Sequence, residues 1–488
     1  TVTASKNTTT ARATSVNHGF ANNSSVVISG ATHADFSGTF TISYVDANTF
    51  TYTIPSPQGD ATGTIKATAG SGSSSERDQI INWVRGQDNQ EDENKNASTT
   101  DCRASVHGDV LHSRPAVINY NRFGGENDVY IFYGANDGVF HAIKGGTATD
   151  ATDSSGLTPG QEAWGFVPTE GFADLKRLRN NSPAIGSSFK RPYFLDGPIG
   201  IYSIDGDGNG KIEEATASDH VYLYIGARRG GRYYYSLDVT TPTAPKYRWK
   251  IDNTTSGFAE LGQTWSLPQP VSNIEASVNP VLIFGGGYDS EVEDIEPCTI
   301  TSIGDASYNS STLVYTAGSV TYSAGTVTYA SSGTGCTVAD AVPTTKTRSR
   351  GRAIYMVDAV TGKPVWWASY KGSGADLEVD GMDFAIPSDI TVIKNASGSK
   401  TNRAYFGDTG GNLWRFDFSS ADTGHWTITK IAAITSAATQ ANWTAASALG
   451  TPAAIETARQ ALRGNLRKFL NPPDVVGQTG YDAVMMGT

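Results

Sequence analysis

Apolar and polar positions alternate along the first 70 residues. Val26 and Ile28, then Phe40, Ile42 and Tyr44, then Phe50, Tyr52 and Ile54 are each separated by polar neighbours. A period of two over four to eight residues marks a half-buried strand. Gly30, Gly38 and the stretch 46–48 interrupt the runs. The pattern predicts a small antiparallel β module over 1–70. Residues 71–105 follow as a Gly/Ser-rich linker and a short helix. In that helix, over 76–86, Ile80, Ile81 and Val84 are expected to face inward and Gly86 to stop the chain. Residues 87–100 are polar and acidic and read as a loop.

From residue 106 to 488 a longer pattern recurs. Its copies occupy 128–143, 220–239, 279–289 resuming at 352–362, and 402–418. Each is a strand ending in Gly, a Gly-rich turn and a second strand, often closed by Asp. The turn glycines are Gly138, Gly230 with Gly231, Gly286 with Gly287, and Gly410 with Gly411. A hairpin turn needing positive φ explains them, because Gly adopts it at no steric cost. A Pro-containing strand precedes every hairpin, and an aromatic strand follows, carrying Trp164, Trp249, Trp366 with Trp367, or Trp426. Inner strand, hairpin, outer strand is the layout of a propeller blade. A further copy starts at Pro473. The expected class is therefore all-β, a modified β-propeller with a small N-terminal β module. A β-sandwich with chance Gly turns is the competing reading.

Two stretches depart from the repeat. Residues 294–347 form an insertion in which Val314, Val320, Tyr322, Val327 and Tyr329 suggest short strands. Over 453–469, Ile455, Ala458, Leu462, Leu466 and Phe469 fall at helical spacing and predict a packed helix.

Composition narrows the function classes. Gly accounts for 53 of 488 residues, against an average of about 7%. The formal net charge is −11, and no dense Lys/Arg stripe is present, which argues against nucleic-acid binding. No run of 18 apolar residues exists to span a membrane as a helix. The chain opens on Thr1 without Met and ends at Thr488 just after an apolar run, and reads as a fragment of a longer, processed precursor. Cys298 and Cys336 flank a Ser/Thr/Tyr-rich segment inside the insertion, where a disulfide would contribute about 4 kcal/mol at most. Cys102 is left over for a partner outside this stretch, and three free thiols are the alternative. An exported protein suits this composition.

The sharpest chemical motif is the run Asp205, Gly206, Asp207, Gly208, Asn209, Gly210, Lys211, Ile212, Glu213. Oxygen-bearing side chains at loop positions 1, 3 and 5, Gly at 6 and an apolar residue at 8 match a calcium loop of EF-hand type. Ca2+ takes six to eight oxygens, and alternate short side chains in a tight loop converge on one point. Asp205, Asp207 and Asn209 would offer side chains, Lys211 its carbonyl, and Glu213 a direct or water-mediated oxygen. Position 12 is Thr216, where Glu is usual, so Glu214 or Asp219 could replace it. With no flanking helices, a single site between strands is expected. A metal-free Asp-Gly turn is the competing, less favoured reading.

No catalytic constellation is visible. P-loop, nucleophile-elbow and H-E-x-x-H patterns are absent from the sequence. His107 and His112 could pair on a metal, but ordinary structural roles are the preferred reading. Asp137, Asp238, Asp358 and Asp417 sit where turn amides need caps. Arg228, Arg229 and Arg232 form a basic cluster in one turn.

Taken together, residues 76–488 resemble the C-terminal region of the PilC/PilY family of type IV pilus biogenesis and tip adhesin proteins. The carriers are Asn82 to Gly86, Gly108 to Pro115, and Gly134 to Gly138 with His141 and Ala142. Further carriers are Tyr193 to Gly197, Gly230 to Arg232 with Leu237 to Thr240, and Tyr405 to Asp408 with Gly411 to Arg415. The resemblance implies a pilus-tip or cell-surface protein, exported through the periplasm, that works with minor pilins. It implies roles in adhesion and in balancing pilus extension against retraction, with calcium affecting that balance, and no enzymatic activity. The family's calcium loop is not carried over. Its place is taken by 387–394, where the acidic series is lost after Asp389. The blade turns also resemble quinoprotein dehydrogenases, which hold pyrroloquinoline quinone and Ca2+. Those enzymes carry adjacent cysteines, and this chain has none.

Overall fold

The computed structural model describes the chain apart from residues 1, 5–7, 17, 21, 23, 70–75, 91–95, 97, 124–127, 147–155, 183–190, 215–217, 277, 279, 290–306, 310–313, 318–319, 324–325, 330–334, 338–349, 396, 437, 440, 443–465, 479 and 488. It divides into two compact units, Thr1–His107 with Ala173–Lys190, and Gly108–Phe172 with Arg191–Thr488.

The first unit holds a six-stranded antiparallel sheet. Its spatial order is Val2–Ala4, Thr10–Thr14, Thr49–Thr53, Gly38–Asp46, Ser25–Ala31 and Gly63–Ala69. The alternation works as expected at Val26, Ile28, Ile42, Phe50, Tyr52 and Ile54, all buried. Tyr44 departs from it and is 47% exposed, next to a register shift between Tyr44 and Asp46. Strand Thr10–Thr14 escaped the sequence reading because its inward residues are only Ala11 and Ala13. The helix forms over Glu76–Val84, and Gly86 follows it at φ 101°. Ile80 and Val84 are half-buried as expected, but one expected inward residue is not. Trp83 is the buried residue and Ile81 is exposed, because the Arg103 guanidinium lies 4.0 Å over the Trp83 ring and donates to the Trp83 carbonyl. Helix Phe172–Asn180 had not been read from the sequence.

The second unit contains four antiparallel sheets of the blade pattern. The first runs Ala116–Asn119, Val129–Gly134, Phe140–Lys144, Glu162–Phe166, and the second Ile199–Ile204, His220–Gly226, Tyr233–Asp238, Lys246–Asp252. The third runs Gln269–Val271, Val281–Gly285, Ala353–Asp358, Pro364–Tyr370, with Leu377–Val379 added in parallel. The fourth runs Thr391–Lys394, Thr401–Gly407, Asn412–Asp417, Thr427–Ala433. A hairpin, Asp474–Gln478 with Tyr481–Met485, occupies the place of the further copy. Val281–Gly285 pairs directly with Ala353–Asp358, so the hairpin closes across the insertion. The insertion itself carries five sequential strands from Ser307–Asn309 to Gly335–Thr337, of which the backbone alone is described. The expected helix over 453–469 falls mostly outside the described residues, although Leu466 and Phe469 are buried.

Apolar cores fill the space between consecutive sheets. Tyr130, Phe132, Leu223, Tyr233 and Tyr235 join the first sheet to the second. Tyr224, Tyr234, Trp249, Phe284 and Tyr355 join the second to the third. Trp366 stacks on Phe416 at 4.9 Å to join the third to the fourth. The second and third sheets are thus covered on both faces, which is why Val281–Gly285 is buried at every position. It also explains Tyr233, Tyr234 and Tyr235: odd and even members serve different cores. Burying such a side chain contributes about 1.5–3 kcal/mol. This β-propeller-like stacking is the fold class the repeats predict.

The glycine argument needs one correction. Gly138 and Gly411 do sit at positive φ, 95° and 78°. Gly230, Gly231, Gly286 and Gly410 do not; a Cβ there would strike Phe194, Tyr233, Gly351 or Phe384. These glycines are required by close approach rather than by turn conformation.

Candidate functional site

The acidic loop joins Ile199–Ile204 to His220–Gly226 at one end of the second sheet. Asp205 organises it by accepting the amides of Gly208 at 2.8 Å, Asn209 at 3.2 Å and Gly210 at 2.7 Å. These amides, Gly210 foremost, hold the Asp205 carboxyl below its usual range. Gly208 and Gly210 take φ of 73° and 80°, which lets the backbone fold around that carboxylate. Ile212 is buried in the core of the first and second sheets and donates its amide to the Tyr120 carbonyl at 2.9 Å, anchoring the loop's far end.

Asp219 closes the loop. It is 2% exposed, and it accepts the Gly206 amide at 2.9 Å and the Glu213 amide at 3.1 Å. Carboxylate oxygens of Asp205, Asp207 and Asp219 lie within 4.8 Å of one another. Asn209 sits among them, donating to Asp207 Oδ2 at 2.9 Å and accepting the Lys211 amide at 2.8 Å. Glu213 stays outside this convergence, its carboxylate 3.9 Å from Lys211 Nζ. Glu214 is engaged by Thr241 and Lys246. Thr216 lies outside the described residues. Three like charges held this close repel one another, and an all-oxygen donor set around them suits a hard divalent cation.

The other residues singled out from sequence have structural partners. His112 Nδ1 lies 2.7 Å from Asp196 Oδ2, so its ring is committed to a carboxylate. Asp137 accepts the Val139 amide, Asp238 the Thr240 amide and Asp358 the Val360 and Thr361 amides, as turn caps should. Asp417 instead pairs with Arg415 at 2.6 Å. Arg232 pairs with the fully buried Asp289 at 2.7 Å. Cys102 is a free, exposed thiol. The expected Cys298–Cys336 pair lies outside the described side chains.

Two buried polar centres were missed. His141 bridges Asp137 at 3.1 Å and Glu162 at 2.6 Å and stacks on Tyr133. Burial opposes its charge, but the two carboxylates raise its pKa to about 9. Asp408, fully buried, accepts from Gly410, Asn412 and Trp414. A spacing of four between Asp137 and His141 across a turn was the available sequence signal.

No family model matches the chain. Among curated proteins it is 27% identical over 233 residues to the type IV pilus biogenesis factor PilY1 of Pseudomonas aeruginosa, covering 44% of this chain and 17% of that protein. It is 24% identical over 246 residues to a PilY1 homolog of Xylella fastidiosa, covering 45% of this chain and 17% of the homolog. The matched region therefore spans about a sixth of these relatives' length. Among solved structures it is similar to the C-terminal domain of P. aeruginosa PilY1, with 16% identity, TM-score 0.36, and coverage of 71% of this chain and 50% of that one. A quinohemoprotein alcohol dehydrogenase of Pseudomonas putida aligns at TM-score 0.24 and 13% identity, covering 67% of this chain and 43% of that one. Over this region the chain is similar to PilY1 proteins, in agreement with the resemblance read from its motifs.

Proposed function

We propose that this chain is part of a type IV pilus biogenesis factor that acts at the pilus tip or cell surface. The similarity to PilY1 proteins supports this reading most directly. The chain serves binding and assembly rather than catalysis. It reaches the surface through the periplasm, works with minor pilins to balance extension against retraction, and contributes to surface attachment. No helix among the described residues is long and apolar enough to cross a membrane.

The acidic loop is proposed to hold Ca2+ through Asp205, Asp207, Asn209 and Asp219, with the Lys211 carbonyl as a further oxygen. The ion would offset carboxylate repulsion and fix the link between two strands of the second sheet. Whether occupancy is structural or regulatory is a question of affinity, and extracellular modules bind at about 10⁻⁴ to 10⁻³ M.

Deletion of the encoding gene tests the pilus role. Surface piliation, twitching and attachment should fall, and the protein should co-purify with sheared pili. Unchanged piliation, twitching and attachment, with no protein in sheared pili, would overturn it.

A further inference from the structure

Among the described residues, the guanidinium groups of Arg114, Arg228 and Arg229 in the second unit have no hydrogen bond or ion pair. The Nε atom of Arg228 is itself buried without a partner. Arg228 holds a left-handed backbone, φ 49°, unusual for a side chain of its size. That conformation carries its guanidinium to 4.1 Å from the centroid of Trp265. The Arg229 guanidinium stands 5.5 Å from Trp265 and 5.6 Å from Tyr193. Trp265 is in turn held edge-on by Tyr288 at 5.5 Å.

The topology brings these groups together. Arg114, Asp196, Trp265 and Asp389 each lie just before the inner strand of a different sheet, and Arg228 and Arg229 sit in the second sheet's hairpin turn. Arg228 feels Asp196, Arg229, Asp389 and Arg114, and burial lowers its pKa. Both nearby carboxylates are already committed. Asp196 accepts the His112 amide at 3.2 Å and faces its ring, and Asp389 accepts the Leu267 amide at 2.6 Å. Burial raises the Asp389 carboxyl, which weakens it further as a counterion. Among the described residues, an acidic chain of net charge −11 thus keeps a local surplus of cations with aromatic backing.

We propose that this arginine–aromatic cluster is a docking site for a carboxylate-rich peptide segment of a partner protein. Planar carboxylates match the guanidinium fork and form paired, charge-assisted hydrogen bonds. Four amides of the turn are already taken and cannot cradle a phosphate. The amides of Ala227 and Arg228 are taken by Thr264, that of Gly230 by the Ala227 carbonyl and that of Gly231 by the Arg228 carbonyl. One face each of Trp265 and Tyr193 is taken by a guanidinium rather than left to a sugar ring. The acidic peptide is the occupant that needs only what the cluster leaves unpaired.

The test is fluorescence anisotropy of a labelled peptide of alternating Glu and Gly, titrated with the whole chain at two salt concentrations. Arg114 and Arg229 are exposed, so an Arg114→Gln/Arg229→Gln variant should fold, checked by its melting temperature. Saturable binding that weakens at least tenfold in this variant is expected. Arg415→Gln, which breaks the Arg415–Asp417 pair of the fourth sheet, should bind as the parent does. Unlabelled peptide should displace the probe at lower carboxylate concentration than oligoglucuronate, and at lower concentration than inorganic phosphate. No saturable binding, equal binding by the double variant, or equal displacement by phosphate or oligoglucuronate would overturn the proposal.

Discussion

The indole N–H of Trp414 donates to the carboxylate of Asp408 at 2.8 Å, deep in the fourth sheet. The same carboxylate accepts the amides of Gly410 and Asn412 and the Asn412 side-chain amide, so all four partners are donors. Burial pushes the Asp408 carboxyl up to about 6 against those donors. Asp408→Asn replaces one acceptor oxygen by a donor that faces donors. The variant should lose about 1–3 kcal/mol in urea unfolding. A raised carboxyl favours the folded state fully below about 3.8, and that contribution is lost as pH rises through about 6. The parent's stability should show that slope, and the Asn variant should lack it.

His141 gives a second pH signature at higher pH. Its folded pKa is raised from 6.5 to about 9 by Asp137 and Glu162. The stabilisation is fully present below about 6.5 and is lost as the imidazolium deprotonates through about 9. Unfolding curves at pH 6, 7.5 and 9.5 should show a fall on the order of 2 kcal/mol that His141→Gln does not show. A parallel fall in both proteins would place the titrating group elsewhere.

Sheet-to-sheet approach depends on missing side chains. A Cβ on Gly134 would strike the Leu195 carbonyl, and one on Gly285 the Ile386 carbonyl. Each Gly→Ala change should cost about 1–3 kcal/mol through overpacking, read as a lower melting temperature. Gly398 has positive φ, 72°, but open space around it. Gly398→Ala should cost about 1 kcal/mol from backbone strain alone. If all three lowered the melting temperature equally, backbone conformation and not close approach would explain the repeat's glycines.

These contrasts show what the sequence made legible. Strand, Gly, turn, strand was readable at Val129–Gly134 and Thr401–Gly407 because each repeat ends an apolar, aromatic strand on Gly before the hairpin turn. Asp205, Asp207 and Asn209 were readable because a loop's local spacing fixes where its oxygens point. Asp219 was one of three candidates, since its position depends on a backbone path through 215–217 that spacing alone does not determine. His141 with Glu162 and Arg228 with Trp265 were not readable at all. Their partners are 21 and 37 residues apart and meet through strand register and sheet stacking. The helix face at Trp83 was misjudged for the same reason: Arg103 arrives from beyond the helix.

The closing ligand of the acidic loop decides how the proposed calcium site is built. Asp219 carboxylate oxygens converge with those of Asp205 and Asp207, whereas Glu214 is engaged by Lys246 and Thr241. Calorimetric titration with Ca2+ should therefore show binding abolished in Asp205→Ala and weakened at least tenfold in Asp219→Asn. Glu214→Gln should bind as the parent does. Asn at 219 keeps an acceptor for the Gly206 amide at Oδ1 but turns a donor toward the Glu213 amide, so besides losing a charge it should lose about 1–3 kcal/mol of stability, read by urea unfolding without Ca2+. Ca2+ at one hundred times Kd should add about 2.7 kcal/mol to the parent's unfolding free energy. Weakening by Glu214→Gln but not by Asp219→Asn would move the closing ligand to Glu214. Equal heats and melting temperatures in all four proteins, with and without Ca2+, would remove the site and leave Asp219 as a cap for the Gly206 and Glu213 amides.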